Sequence, residues 1–405
     1  MNSQNDLIAI TGCGSISPLG FDRSAIYSKY LTDETFIVNK SFNNKVYPVA
    51  VLPGDAEEQL IRLISKTPQC RKVDKTVLMA MQAASLAFEE AGWNATPGTI
   101  TGINIGSSRG SAALFETLHE EFLKSRRKKT SVFTSPLTTL GYISNHVASH
   151  LNVNGPIINT SVTCSTGIQA ICNSIAWIKA GMATRFIAGG SEAPLTRFTL
   201  AQVEALGIYS KLNNSKYPCA PLSIAERDIN TFVLGEGAAA FAIEKMNIVE
   251  LKECRPLGII ESVGFSFERP LTLTGIGEDG SLIAASMKMA LENMLTDNNV
   301  DLILLHCPGT VKGDEAELNA IKEVFRDEMP NLFSNKWKIG HAYSASPALN
   351  LELGLLCLQN NFSPEFPYKT PVNNSERNIR KIMINATGFG GNATSIIVSH
   401  PDIIG

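Results

Sequence analysis

One stretch constrains the chain more than any other. Asn159-Thr160-Ser161-Val162-Thr163-Cys164-Ser165-Thr166-Gly167, β-favouring, runs directly into the small-residue, helix-favouring segment Ile168 to Met182. A strand-like segment feeding a helix points to layered α/β packing, and it leaves Cys164 at the junction. At a helix start the unpaired backbone N–H groups and the positive end of the macrodipole favour a thiolate over a thiol, and a neighbouring N–H can hold an oxyanion. That setting suits acyl transfer. On spacing alone a second reading stays open, because most unpaired cysteines are small buried hydrophobes.

The alternation continues along the chain. Strand-like runs such as Phe186-Ile187-Ala188 and Ala239-Ala240-Phe241-Ala242-Ile243 alternate with helix-like runs such as Thr76 to Ala91 and Asp314 to Phe325. With 405 residues and 44% apolar content the chain can bury a large core, and length alone allows two or three domains. No Pro/Ser-rich or low-complexity linker separates independent units. The expectation is therefore two intimately packed α/β halves, 1–250 and 251–405, dividing near Glu250 to Arg255. No internal sequence repeat is detectable.

Polar chemistry recurs in glycine-rich turns. Leu304-Leu305-His306-Cys307-Pro308-Gly309-Thr310 closes the apolar run Leu302 to Leu305, and ligands of open α/β sheets bind at such strand ends. Lys336-Trp337-Lys338-Ile339-Gly340-His341 supplies a second histidine, and Ile382 to Asn392 is an apolar strand running into Gly388-Phe389-Gly390-Gly391, where backbone can approach a ligand. Taken singly, each histidine reads as a satisfied structural residue. Gly12-Cys13-Gly14 lacks the third glycine of a dinucleotide fingerprint, since position 17 is Ser17, and is expected to make a strand-to-loop turn. Gly388 to Gly391 has no phosphate-binding lysine after it, so it is not a P-loop.

Taken together, these segments resemble a β-ketoacyl synthase of the elongating kind, within the thiolase-like superfamily. The resemblance begins at Ile10-Thr11-Gly12-Cys13-Gly14-Ser15-Ile16-Ser17-Pro18-Leu19-Gly20. It runs through Cys164, Gly189-Gly190-Ser191-Glu192-Ala193 and Phe232-Val233-Leu234-Gly235-Glu236-Gly237, and ends with the two histidines and Gly388-Phe389-Gly390-Gly391. It implies a five-layer αβαβα sandwich of two similar α/β halves. It also implies decarboxylative condensation of an acyl thioester carried on Cys164 with malonyl-acyl carrier protein, in fatty acid or specialised polyketide or polyene synthesis.

In that family pattern Cys164 takes the acyl group, and the backbone N–H groups of Cys164 and Phe389 hold the oxyanion. His306 and His341 bind the malonyl thioester oxygen, Lys336 organises the site, and Phe389 gates it. Thr310, Gly388 and Gly390 match substrate-binding positions. Arg109 falls beside the acyl pocket, either turned away onto an interface carboxylate or narrowing the saturated-chain tunnel. Phe133 and Thr134 fall in a segment that reaches the partner's pocket across a dimer. No bound cofactor or metal is implied, the substrates arriving on the phosphopantetheine arm of acyl carrier protein. The basic residues Arg71, Lys72, Arg126, Arg127, Lys128 and Lys129 match the carrier-docking rim, though a short charge run is also an ordinary solvated loop. A homodimer is implied, or a heterodimer with a chain-length-factor-like subunit.

Departures accompany the match. Around the first histidine the usual text is His-Gly-Thr-x-Thr, and here the first threonine position is Pro308, which has neither hydroxyl nor N–H to donate. Asn350 stands where a glutamate commonly follows the second histidine, and Glu352 would face elsewhere on a helix. Pro221-Leu222-Ser223 replaces a Pro-Phe-Asp element, with extra residues around Ile229 to Thr231. These changes suggest a specialised synthase, with aryl-polyene or flexirubin-like pigment synthesis as one such pathway. Two rivals keep the fold: a non-catalytic chain-length-factor-type subunit, opposed by the retained Cys164, His306 and His341, and a non-decarboxylating thiolase, opposed by the absence of a cysteine near Gly388 to Gly391.

Composition limits the partners. A net charge of −3 gives no global basic field, and no apolar stretch is long enough to span a bilayer, so neither nucleic acid nor membrane is expected. Residues Met1 to Asp6 lack a basic n-region and a long apolar run, and eight scattered cysteines show no metal-like spacing. A cytoplasmic protein with reduced thiols is the expectation.

Overall fold

The computed structural model describes residues 6–404 apart from 43, 95–97, 270–276, 278 and 298. Its strands are β1 (Leu7–Ile16), β2 (Ile37–Phe42), β3 (Lys45–Ala50), β4 (Thr101–Gly106), β5 (Ile157–Ile158), β6 (Arg185–Glu192), β7 (Leu234–Gly235), β8 (Gly237–Met246), β9 (Gly258–Phe267), β10 (Leu302–Leu304), β11 (Asn331–Phe333), β12 (Lys381–Gly388) and β13 (Asn392–Ser399). A small sheet, β2-β3-β7, stands apart from a 10-stranded one ordered β11-β10-β12-β13-β9-β1-β8-β6-β4-β5.

The large sheet contains the same topology twice. In β1, β4, β5, β6 and β8 the first strand pairs antiparallel with the last, the last antiparallel with the fourth, the fourth parallel with the second, and the second parallel with the third. Strands β9 to β13 repeat that order and those directions. Within the sheet, among the described residues, the halves meet where Ile8 to Ile10 pairs with Gly258 to Ile260. Between them the chain turns through the short helix Ile248–Cys254, where Asn247 accepts from the Val249 and Glu250 N–H groups and Glu250 returns a bond to the Asn247 N–H, a reciprocal cap.

Two helices lie between the halves of the sheet. Thr166–Lys179 packs on β4 and β6 and touches β13, and Ala345–Asn360 packs on β6 and β8 on one side and on β10 and β12 on the other. Ala345 to Leu358 is buried on every face, as a helix in a central layer must be. Outer helices close the stack, Lys75–Glu90 against β1 and β8, and Ser281–Glu292 against β9 and β13. The result is the five-layer αβαβα sandwich. One apolar cluster, including Ile168, Phe186, Phe241, Leu349, Ile382 and Ile396, joins both halves, each such side chain contributing roughly 1.5–3 kcal/mol on burial.

Gly12 and Gly14 have a different use from the turn expected of them. Both lie inside β1, and a Cβ at either would stand 2.1 Å from the Ala87 carbonyl oxygen or 2.2 Å from that of Ala83. They let the backbone of Lys75–Glu90 lie directly on the strand. Among the described residues no helix is long and apolar enough to cross a membrane.

Candidate active site

The nucleophile turn is over-determined by its neighbours. Thr163 has φ +58°, costly for a β-branched residue, and opens a 3-10 turn, Thr163–Ser165, that leads into the helix Thr166–Lys179. Its carbonyl accepts from the Ser108 and Thr166 hydroxyls, both at 2.6 Å, and its own hydroxyl donates to the Phe389 carbonyl at 3.3 Å. Ser165 donates to Asn392 Oδ1 at 2.5 Å, so the β12–β13 turn is fastened to the same place. A Cβ on Gly388 would meet the Thr163 hydroxyl at 2.1 Å, which is why a glycine stands there. Cys164 is thus buried at the junction of both halves.

Burial opposes the thiolate that the helix start favours. Desolvation pushes the Cys164 thiol up to about 12, the nearby Glu192 carboxyl adds to the rise, and Arg109 and Lys336 pull it back only in part. The resting form is the thiol, and its proton must leave as substrate arrives.

His306 follows β10 by two residues. The N–H groups of His306 and Cys307 donate to the two oxygens of Glu317 at 3.0 and 2.7 Å, and Asn385 Nδ2 donates to the same carboxyl at 3.1 Å. The strand end is thereby fixed by the helix Val311–Phe325. His341 follows the short helix Lys336–Ile339; its N–H donates to the Val233 carbonyl at 2.7 Å and its carbonyl accepts from Gly235 at 3.1 Å. Its ring Nδ1 lies 2.9 Å from the Ser346 hydroxyl, which already accepts from the Ala342 N–H at 2.8 Å. That hydroxyl's proton needs an acceptor, so Nδ1 accepts it and the ring proton of His341 sits on Nε2.

The two rings lie 5.3 Å apart at 81°. Burial, reinforced by the Lys336 charge, lowers His306 to about 3, and burial with His306 and Lys336 takes His341 well below its ordinary value. Both imidazoles are neutral in the working range. Lys336 is itself buried, its Nζ donating to the Leu305 carbonyl at 3.1 Å, and desolvation lowers it to about 8 against the opposing pull of Glu317. Asn350 donates to the same carbonyl at 3.0 Å, and its buried Oδ1 has no hydrogen-bond partner among the described residues. Glu352 does face elsewhere, accepting from Ser15 in β1.

Cys164, His306, His341, Thr310, Gly388 and Phe389 line one cavity of about 1010 Å³. Lys336 stands behind the histidines. Gly390 is absent from the cavity wall and serves the turn, with φ +95°. Within one chain Arg109 meets an amide and a phenol. Its guanidinium donates to Gln202 Oε1 at 2.5 Å, and its Cζ lies 5.3 Å from the centroid of the Tyr343 ring. Within one chain Phe133 and Thr134 are away from the cavity: Phe133 is half exposed under Lys72 Nζ at 5.0 Å, and Thr134 bonds Thr130 at 2.7 Å. Arg71, Lys72, Arg126, Arg127, Lys128 and Lys129 are exposed and also off the cavity wall, though Lys72 on Phe133 brings their two segments together.

Other residues support the site without having been assigned to it from sequence. Asn230, from the extra segment, accepts from Val311 N–H at 3.0 Å, and Thr231 N–H donates to Gly309 at 2.7 Å, so the insertion props the turn that Pro308 alters. Glu192, Glu317, Ser346, Gln202 and Tyr343 were given no role from sequence: Glu192 and Gln202 act on segments more than 80 residues away, while Ser346 and Glu317 act on nearer turns whose geometry only the fold sets. Among the described residues no group of three or more metal-ligating side chains forms.

A buried cysteine at a central helix start, facing two neutral histidines across the junction of duplicated halves, defines a thiolase-type condensing site. The chain belongs to the beta-ketoacyl synthase family: residues 5–247 match the model of its N-terminal domain and 257–367 that of its C-terminal domain. It is 26% identical to a 3-oxoacyl-[acyl-carrier-protein] synthase 2 of Rhizobium meliloti, covering 96% of this chain and 98% of that one. In fold it is similar to the ishigamide ketosynthase/chain length factor, with TM-score 0.86, 20% identity, and 98% and 99% of the two chains covered. It is likewise similar to a type II PKS ketosynthase solved in complex with its acyl-carrier protein and bound to the hexaketide, with TM-score 0.83, 19% identity, and 98% and 100% covered.

Proposed function

We propose that this chain is a 3-oxoacyl-[acyl-carrier-protein] synthase, an acyltransferase that performs a decarboxylative Claisen condensation. The observation that carries the reading is the shared cavity of Cys164, His306 and His341, with both imidazoles held neutral. The Cys164 sulfur attacks the thioester carbonyl of an acyl-carrier, its proton leaving with the expelled carrier thiol. The N–H groups of Cys164 and Phe389 hold the tetrahedral oxyanion. A malonyl-carrier thioester then binds with its oxygen on the imidazole N–H donors. Carbon dioxide leaves, the resulting enolate attacks the acyl-cysteine, and the Cys164 sulfur leaves as thiolate when the new carbon–carbon bond closes, regaining its proton from solvent. Lys336, charged below about 8, supports the negative charge that develops beyond the histidines.

The substrates ride on a phosphopantetheine arm, and the reaction needs no resident cofactor. Carrier docking on Arg71, Lys72 and the Arg126 to Lys129 loop is supported by their exposure and by the Lys72–Phe133 contact. Docking there would weaken with salt. A dimer, with itself or with a chain-length-factor-like subunit, is supported by the exposed Val132 and Phe133 and by the short edge strand β5 with exposed Ile157. Eight cysteines, all free, support a reducing, cytoplasmic setting. The retained nucleophile opposes a purely structural role. Incubating the protein with acyl-carriers and mapping the adduct by intact mass and peptide fragmentation tests the reading: the acyl group should sit on Cys164. An adduct on Cys307 would overturn it, although that thiol is fully buried and pushed far up by burial and Glu317.

A further inference from the structure

The helix that carries Lys336 and leads into His341 is too short to hold itself. Lys336–Ile339 is a single turn, and a turn of that length has no stability apart from its tertiary bonds. On one side Lys336 reaches the Leu305 carbonyl behind the histidines. Lys338, two residues on, leaves from the other side, since residues at that spacing do not share a helix face. It is as fully buried as Lys336. Its Nζ donates to the carbonyls of Thr32 and Glu34 at 2.6 and 2.8 Å, and lies 4.2 Å from the centroid of the Trp337 ring and 5.8 Å from that of Phe36. Those carbonyls belong to the loop 32–36, which runs between the helix Arg23–Tyr30 and β2. The loop returns two bonds to the turn: the Phe36 N–H donates to the Lys338 carbonyl at 2.9 Å, and the Thr35 hydroxyl to the Trp337 carbonyl at 2.6 Å. A buried ammonium without acceptors is costly, so this one holds the loop and the turn together.

We propose that Lys338 is a positioning residue for decarboxylation, strapping the loop 32–36 of the N-terminal half to the turn that presents Lys336 and His341. The inference rests on the condensation proposed above. Without the ammonium, the backbone of His341 keeps its bonds to Val233 and Gly235, but the turn before it is left with only the two bonds that the loop returns. Lys336 and the His341 ring then lose their fixed placement on the malonyl thioester, which lowers turnover more than it weakens binding. Cys164 is held from elsewhere, by the bonds that Ser108, Thr166, Phe389 and Asn392 make to Thr163 and Ser165, so acylation does not depend on the strap.

The test separates the two half-reactions at pH 7. In Lys338→Met, which keeps the length of the side chain, kcat for carbon dioxide release from malonyl-carrier should fall about tenfold, the order of cost of a slightly misplaced catalytic group. KM for malonyl-carrier and the rate of Cys164 acylation should stay at their wild-type values. Thr35→Val leaves the ammonium in place and removes only the Trp337 tie, so it should lower the same kcat by a smaller factor. It decides the matter if Lys338→Met does not fold. Wild-type kcat in folded Lys338→Met, or in Thr35→Val where Lys338→Met does not fold, overturns the positioning role, and so does acylation that falls in step with decarboxylation. A wild-type protein that releases no carbon dioxide from malonyl-carrier overturns the condensation itself and this inference with it.

Discussion

The two halves share a topology and differ in what they place at its equivalent points. Thr163 and Tyr343 both have positive φ, at +58° and +40°, and each accepts at its carbonyl from an N–H three residues on, so Cys164 and Ser344 hold corresponding positions before the two central helices. The N-terminal half leaves its sulfur at the cavity. The C-terminal half places a hydroxyl there that is committed to Glu192 at 2.6 Å. The turns after the second strand of each half differ in the opposite sense. After β4, Glu192 gathers Ser107, Ser108 and Arg109; after β10, Glu317 gathers His306 and Cys307. One architecture thus provides two helix starts and two carboxylate-held turns, of which one start became the nucleophile and one turn the proton donor. The Gly167 N–H, donating to the Ser344 carbonyl at 3.1 Å, ties the two helix starts together.

The largest effect should come from exchanging those starts. Cys164→Ala should lower condensation by on the order of 10⁴-fold or more, as removing a nucleophile does, and adding Ser344→Cys should restore nothing. Acyl transfer recovered by the double variant, measured as adduct mass, would show the halves to be interchangeable.

The carboxylates come next. Each accepts from buried N–H groups, and leaving one such group unsatisfied costs about 1–3 kcal/mol. Glu317→Gln should slow carbon dioxide release by roughly 10–100-fold with little change in acylation, and Glu192→Gln should slow acylation instead. Stopped assays of each half-reaction separate these outcomes, and equal effects on both would erase the division.

A pH profile should show a smaller effect. Lys336, lowered to about 8, loses its charge as pH rises through that value, so condensation should fall on an alkaline limb near 8 that Lys336→Met lacks. The histidines, held low, should add no acid limb near 6.5. A limb at that ordinary imidazole value would mean that they protonate.

The smallest effect concerns stability at the junction of the halves. Burial raises Glu352 from 4.5 to about 7, so the native state favours its protonated form. Stability from this group is full below pH 4.5 and is lost as pH rises through 7, a loss on the order of 3 kcal/mol. Glu352→Gln keeps an acceptor for Ser15, so its melting temperature should match wild type near pH 4.5 and exceed it by a few degrees at pH 8. A gap that does not grow with pH would mean that the carboxyl is ionised without penalty.

What was legible in sequence follows from locality. Cys164, His306, His341 and Phe389 sit at changes of hydrophobic period, and such changes mark the ends of elements: strand ends for His306 and Phe389, a helix start for Cys164 and a helix end for His341. Asn350 and Glu352 were separable because a helix turns by a fixed angle per residue. The duplicated topology came only through the resemblance and left no repeat in the residues, because strand order is set by pairing between distant segments that need share only apolar character. Gly12 and Gly14 suggested a turn when their service is to a helix more than 60 residues away, packed at Ala83 and Ala87. The Cys164 thiolate was expected from the helix start alone, whereas burial by residues from both halves decides the balance. Arg109 was recognised as out of place, but Gln202 and Tyr343 reach it from other elements.

The division of labour between the halves is tested most directly by separating the half-reactions in the histidine variants. With His306→Ala and His341→Ala, the rate of Cys164 acylation from an acyl-carrier is measured by intact mass, and carbon dioxide release from malonyl-carrier is measured alongside. The account predicts acylation within about threefold of wild type and decarboxylation lowered by 10²–10³-fold, the order of effect of a single oxyanion donor. Acylation falling in step with decarboxylation would contradict it.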